Sequence, residues 1–265
     1  MLSLAPPELT EVAARAGYQY VSLRPIAVTP NEPKYPLAQD KELFSRTRRK
    51  LKDTGLKLLD IELARIADGV DVGSYEPALA AAAELGGRFV LTSAWTPDRS
   101  FTIDSFGRLC DLAKPYGLTV CFEFVTFAEV ASLSETALIL KLADRPNGAI
   151  CVDTLHFYRS GCKVEELDQF PPSWFPYLQI CDGPAKAPAD REGLIYAARY
   201  DRQFVGEGEL NIAGILDRLP VVPYAIEAPN LSLSLRLSPL DFARRALTTA
   251  NSYLDAHPRE PRSPP

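Results

Sequence analysis

No apolar stretch in the 265 residues approaches the roughly 18 that a membrane-spanning helix needs, which excludes such a helix. The N-terminus, Met1-Leu-Ser-Leu-Ala-Pro-Pro7, has neither a basic segment nor an apolar core, so no signal peptide is expected. Basic clusters are scarce on a chain of formal charge -5. The one run of note, Arg46-Thr-Arg-Arg-Lys-Leu-Lys52, is read as the solvated face of a helix, and neither nucleic acid nor a membrane is expected as a partner. Only two histidines are present, His156 and His257, too few for a multi-zinc centre. The five cysteines include no C-x-x-C pair, and Cys121, Cys151 and Cys181 fall inside apolar runs, where a free thiol behaves as a small hydrophobe. A reduced, cytoplasmic protein is the expectation.

What is present is alternation. Apolar, β-branched runs that read as strands occur at Leu2–Leu4, Tyr18–Leu23, Leu56–Glu62, Arg88–Thr92, Leu118–Val125, Ile150–Asp153, 176–181 and Tyr224–Glu227. Between them lie segments with helical periodicity or helix start and stop signals: Pro7–Ala16, 40–54, Glu76–Leu85, Ile103–Lys114, Leu133–Leu142, Leu210–Leu219 and Pro239–Leu254. Residues 183–209 read as a long loop, and the proline-rich tail His257–Pro265 as disordered. Eight strands alternating with helices imply an α/β fold with a parallel sheet. A closed (β/α)8 barrel over residues 1–256 is expected, a size usual for that fold. The competing open sheet is disfavoured because no glycine-rich phosphate loop follows the first strand.

Four of these strands end on oxygen-bearing side chains. Leu118-Thr-Val-Cys-Phe-Glu-Phe-Val125 contains Glu123, Ala149-Ile-Cys-Val-Asp153 ends on an Asp, and Trp174-Phe-Pro-Tyr-Leu-Gln-Ile-Cys-Asp182 carries Gln179 and Asp182. Pro223-Tyr-Ala-Ile-Glu227 ends on a Glu. Carboxylates are seldom buried unless paired or bound to metal, because losing their water costs several kcal/mol. In a barrel, strand ends converge on the C-terminal face. Glu123, Asp153, Gln179 and Glu227 stand at corresponding places on the fifth to eighth strands, where three carboxylates would repel one another unless a cation compensates them. An all-oxygen set suits one hard divalent ion, Mg, Mn or Co. The competing reading is that these groups cap helices and bond loops.

These segments resemble the xylose isomerase-like barrels, a family that includes sugar phosphate isomerases and epimerases, ketose 3-epimerases and hydroxypyruvate isomerase. The resemblance is carried by Phe122-Glu-Phe124, Val152-Asp-Thr-Leu-His156, Tyr177-Leu-Gln-Ile-Cys-Asp182, Val205-Gly-Glu-Gly-Glu-Leu210 and Ile226-Glu227. It implies that Glu123, Asp153, Gln179 and Glu227 hold one metal, and that Glu123 and Glu227 act as base and acid. His156 would bind a substrate oxygen or shuttle a proton. Arg202, before the Gly206–Gly208 turn, would reach substrate. Arg24 and Arg65, just after strands, are candidates for gripping a carboxylate or phosphate. Glu62 is a neighbour of the site or a partner of Arg65. Gln179 departs from the histidine of many sugar epimerases and is similar to the residue in 3-dehydroshikimate dehydratases.

The expected activity is therefore a divalent-metal-dependent isomerase or epimerase of a small polyhydroxy carbonyl compound, a sugar or sugar acid. It would move a proton next to a carbonyl through an enediolate. The alternative is a metal-dependent dehydratase of the 3-dehydroshikimate or inosose type, sharing the first step and expelling a β-hydroxyl. A non-catalytic metabolite-binding barrel is a third reading. A DNA-repair endonuclease of the same barrel superfamily is rejected for want of histidines. Self-association into a homo-oligomer is left open.

Overall fold

A computed structural model of the chain describes residues 3–28 and 32–259. The first helix, α1 (Pro6–Ala16), opens on two prolines, whose missing N–H groups cost nothing in a first turn, and stops at Gly17. It leads into β1 (Tyr20–Leu23). Asp40 caps α2 (Lys41–Thr54) by accepting the Leu43 N–H, and β2 (Lys57–Ile66), α3 (Glu76–Glu84) and β3 (Phe89–Ala94) follow. Asp98 caps α4 (Arg99–Ala113) in the same way through the Phe101 N–H, which places the start of this helix ahead of the expected Ile103. Then come β4 (Thr119–Glu123), α5 (Leu133–Ala143), β5 (Gly148–Asp153), α6 (Thr154–Arg159) and β6 (Leu178–Ile180). The chain continues through α7 (Arg191–Tyr200), α8 (Ile212–Leu216), β7 (Tyr224–Ile226), α9 (Leu231–Ser234) and α10 (Pro239–Ala256). The strands follow chain order, β1 to β7, in one sheet. No helix among the described residues is long and apolar enough to cross a membrane.

Internal packing divides the chain into two compact units, Met1–Phe122 with Leu138–Ala149, and Glu123–Ala137 with Ile150–Pro265. In the first, β1, β2, β3 and β4 pair successively in parallel. All six residues of β3 are buried, the mark of a parallel strand covered on both faces. Phe106 of α4 meets Phe122 edge-on, with ring centroids 5.4 Å apart. In the second unit, β5, β6 and β7 pair in parallel, with Val152 opposite Leu178 and Leu178 opposite Tyr224. Its core gathers Ile150, Val152, Tyr177, Ile180, Phe204 and Ile215, with Phe204 edge-on to Phe242 at 5.0 Å.

Seven of the eight expected strands are thus present among the described residues. At the remaining one, Ser3 and Leu4 lie in a turn, and Leu2 is outside the described residues. β2 runs on to Ile66, so Arg65 belongs to a strand and not to the following loop. The supposed loop 183–209 contains α7, capped by Asp190 through the Gly193 N–H. Conversely, the helix expected over Leu210–Leu219 is only the five residues of α8. Of the tail, His257 stacks on Tyr253 and Arg259 bonds the Tyr224 hydroxyl and the Leu219 carbonyl, while residues 260–265 are outside the described residues.

Asp182, just past β6, organises the Val205–Leu210 turn. Its carboxylate, buried, accepts the backbone N–H groups of Gly183 (2.8 Å), Gly206 (3.1 Å) and Leu210 (3.0 Å). Gly206 sits at φ 83°, a left-handed conformation. Gly208 is excluded from carrying a side chain for a different reason: a Cβ there would lie 2.3 Å from Asp182 Oδ1 and 2.6 Å from Gln203 Oε1. Gly208→Ala is therefore expected to destabilise the protein by about 1–3 kcal/mol, read as a lowered midpoint in urea denaturation. An unchanged midpoint would show that the turn yields to the methyl group without loss.

Candidate functional site

Residue alternation and strand register bring together the side chains singled out in the sequence. Asp153, the last residue of β5, lies opposite Gln179 of β6. Gln179 lies opposite Ala225, and Glu227 extends the β7 ladder one step by donating its N–H to the Ile180 carbonyl at 3.1 Å. Glu123 ends β4 and belongs to the same unit. Glu123, Asp153 and Glu227 each offer a carboxylate oxygen, and these three atoms lie within 4.8 Å of one another. Glu123 and Asp153 are buried, and the Glu227 side chain is 29% exposed. Gln179 is buried, and its carboxamide oxygen faces the Cys151 thiol at 3.6 Å.

Arg202 lies at the heart of this cluster. Its Nη1 donates to Asp153 Oδ2 at 2.5 Å and to the Glu227 carbonyl at 3.0 Å, and stands 3.3 Å from Glu227 Oε2. Its Nε donates to the Ala198 carbonyl in the last turn of α7 at 2.8 Å, and its own carbonyl accepts from Asn230 Nδ2 at 2.9 Å. The guanidinium is 4% exposed, and Asp153 is fully buried. Burial alone would raise the Asp153 carboxyl, but the adjacent guanidinium, aided by His156, holds it below the usual carboxylate range. Burial likewise opposes the charge on Arg202, and the carboxylates of Asp153 and Glu227 overcome it, raising its pKa further. Asp153 uses its other oxygen as a helix cap, accepting the His156 N–H at 2.9 Å. It therefore does what the capping reading expected and takes part in the carboxylate cluster as well.

His156 occupies the first turn of α6 and is 4% exposed. Its Nδ1 is 3.0 Å from the Thr126 hydroxyl and 3.4 Å from the Thr126 nitrogen, and its ring meets Phe127 edge-on at 5.6 Å. Burial pushes its pKa down to about 4, outweighing the pull of Asp153. α7, read from sequence as loop, reaches the same segment: Arg191 donates to the Phe127 carbonyl at 3.0 Å, and Arg199 lies over the Phe127 ring. Asp190 followed by Glu192 was the available signal for this helix, obscured by Gly183, Pro184 and Pro188. Thr126 carried no signal at all.

Arg24 and Arg65 belong to the first unit. Arg24 pairs with Glu62 at 2.6 Å and approaches Glu32 at 3.6 Å, so the partner of Glu62 is Arg24 and not Arg65. Arg65 lies over the Trp95 ring at 4.4 Å and donates to the Val28 carbonyl. Phe122, Phe124 and Phe157 are wholly buried core residues.

A family model described as the xylose isomerase-like TIM barrel matches residues 10–227, and the chain belongs to that family. Inosose isomerase of Bacillus velezensis is 23% identical over 171 residues, which cover 60% of this chain and 61% of that protein's length. An IolI protein with a bound zinc atom is similar in structure with a TM-score of 0.78 at 18% identity, over 94% of this chain and 93% of that one. D-allulose 3-epimerase from Methylomonas sp., solved with D-allulose, gives a TM-score of 0.67 at 18% identity, over 94% of this chain and 91% of that one. At such identities the structural likeness is one of fold.

The pKa of His156 has a consequence for stability. The unfolded chain takes a proton on this ring as pH falls through 6.5, whereas the folded protein resists until about 4. Stability from the neutral ring is fully present above 6.5 and is lost as pH falls toward 4, a loss of up to about 3 kcal/mol. Urea midpoints measured from neutral to acidic pH should fall more steeply in the wild type than in His156→Gln. Parallel profiles would show that His156 titrates normally in the folded chain.

Proposed function

We propose that the protein is a divalent-metal-dependent isomerase or epimerase acting on a small polyhydroxy carbonyl compound, a sugar or sugar acid. The observation that carries this reading is the convergence of Glu123, Asp153 and Glu227 within 4.8 Å, with Gln179 in register beside Asp153. Similarity to inosose isomerase and to the epimerase fold supports it.

The residues fit a hard divalent ion, Mg, Mn or Co: three carboxylates and a carboxamide form an all-oxygen donor set, and Asp153 is held in its ionised form. Glu123, Asp153, Gln179 and Glu227 are the proposed ligands. When bound, such an ion would polarise a carbonyl and offset negative charge on its oxygen. The protein's own groups do the remaining work. Glu123 and Glu227, from strands well separated in sequence order, serve as base and acid for the proton next to the carbonyl. His156 contacts a substrate oxygen. Arg202, bonded to Asp153 and Glu227, fixes both carboxylates while offering charge to an anionic substrate group.

A second reading, dehydration of a 3-dehydroshikimate- or inosose-like substrate, is favoured by Gln179 in place of the histidine usual in the sugar epimerases the chain resembles. Both readings share proton abstraction and separate at the fate of the β-hydroxyl.

Two measurements test the shared site. Protein purified without chelator should hold about one Mg, Mn or Co per chain, and Glu227→Gln should lose most of it by elemental analysis. Absence of metal in the wild type, with no thermal stabilisation on adding Mn2+ or Mg2+, would overturn the proposal. Arg202→Met should cost the chelated protein about 3–5 kcal/mol, because it leaves a fully buried carboxylate without its cation. Added Mn2+ should then stabilise that variant by more than it stabilises wild type, since no guanidinium competes for the same oxygens. Turnover of ketoses, inososes and 3-dehydroshikimate by the loaded enzyme would separate isomerisation from dehydration.

A further inference from the structure

The Thr126 N–H is directed at His156 Nδ1, which must present a lone pair to receive it, so the ring is neutral. A neutral imidazole carries one hydrogen, on Nδ1 or on Nε2. The structure distinguishes them. A backbone N–H can only donate, and the Thr126 N–H is directed at His156 Nδ1 at 3.4 Å. A hydrogen on Nδ1 would meet that hydrogen head-on. Nδ1 is therefore the acceptor, and the Thr126 hydroxyl, 3.0 Å from the same atom, supplies a second and shorter donor. The ring's hydrogen is left on Nε2. Among the described residues Nε2 has no hydrogen-bond partner, and the residue as a whole is 4% exposed. Phe127, edge-on to the ring, and the cap from the His156 N–H to Asp153 restrain its orientation.

We propose that Thr126 is a positioning residue that locks His156 in the Nε2–H tautomer, so that His156 meets its ligand as a hydrogen-bond donor and not as a base. The complementary group is an acceptor oxygen: a hydroxyl, carbonyl or carboxylate oxygen of the substrate. The use of this donor rests on the function proposed above; the tautomer itself does not. Loss of the Thr126 hydroxyl removes the shorter of two donors and leaves only the backbone N–H, at 3.4 Å, to hold Nδ1 as an acceptor, so the Nδ1–H tautomer gains population at the expense of the donor at Nε2.

With only two histidines in the chain, long-range proton–nitrogen correlation NMR of the 15N-labelled full-length protein reads the tautomer directly, and His257→Gln identifies the other ring. The spectrum is taken near neutral pH, without substrate, both with Mg2+ and after chelation. The wild type should show His156 Nδ1 in the unprotonated range and Nε2 in the protonated range. Thr126→Val, which keeps the volume and the backbone N–H, should bring the two shifts toward each other, and Thr126→Ser should restore the wild-type pattern. A proton on Nδ1 in the wild type, or averaged shifts there, would overturn the tautomer assignment. An unchanged spectrum in Thr126→Val would overturn the role given to Thr126. Neither result depends on whether the protein turns over a sugar, and a failure of Mg2+ binding would leave this signature intact.

Discussion

The ion pair between Arg202 and Asp153 is the constraint around which the second unit's site is arranged. Asp153 has two oxygens with different duties: one caps α6 and so fixes where His156 begins its turn, and the other holds the guanidinium. Arg202 in turn ties the cluster to the Ala198 carbonyl of α7, the Glu227 carbonyl after β7 and the Asn230 side chain before α9. Two fully desolvated charges are tolerated here only because each is met by several partners at once. A single buried salt bridge thus sets the geometry of three separate chain segments.

That arrangement separates the roles of carboxylates that look alike in sequence. Asp182 and Asp153 both stand at strand ends. Asp182 spends its carboxylate on three backbone N–H groups and on closing the Gly206–Gly208 turn. Asp153 keeps company with Glu123 and Glu227 instead. Alike in burial, they differ in what faces them, and that difference assigns one to architecture and the other to the candidate site.

Much of this was legible in the sequence, for a physical reason. Strands buried in a parallel sheet are continuous apolar runs, so a Glu or Asp inside one is conspicuous, and Glu123, Asp153, Gln179 and Glu227 could be picked out before any coordinates. The helices with sharp boundaries, such as those opened by Pro6–Pro7 or Asp40, were legible too. What escaped were features whose cause is distant in sequence. α7 was hidden by flanking glycine and prolines. Glu62 finds Arg24 across 38 residues in preference to nearby Arg65. Thr126 acquires meaning only from a histidine 30 residues away. A lone threonine in a loop has no pattern of its own.

Gln179 adds a consequence on acidification. An imidazole ligand must be deprotonated to bind a cation, so proton competition sets in near neutrality for a site that includes one. A carboxamide has no proton to gain in that range. On the proposed reading, proton competition at this site would come only from its carboxylates, and one of these, Asp153, is already held low by Arg202. The buried carboxamide beside Asp153 would let the protein retain its cation in surroundings acid enough to strip a histidine-bearing relative.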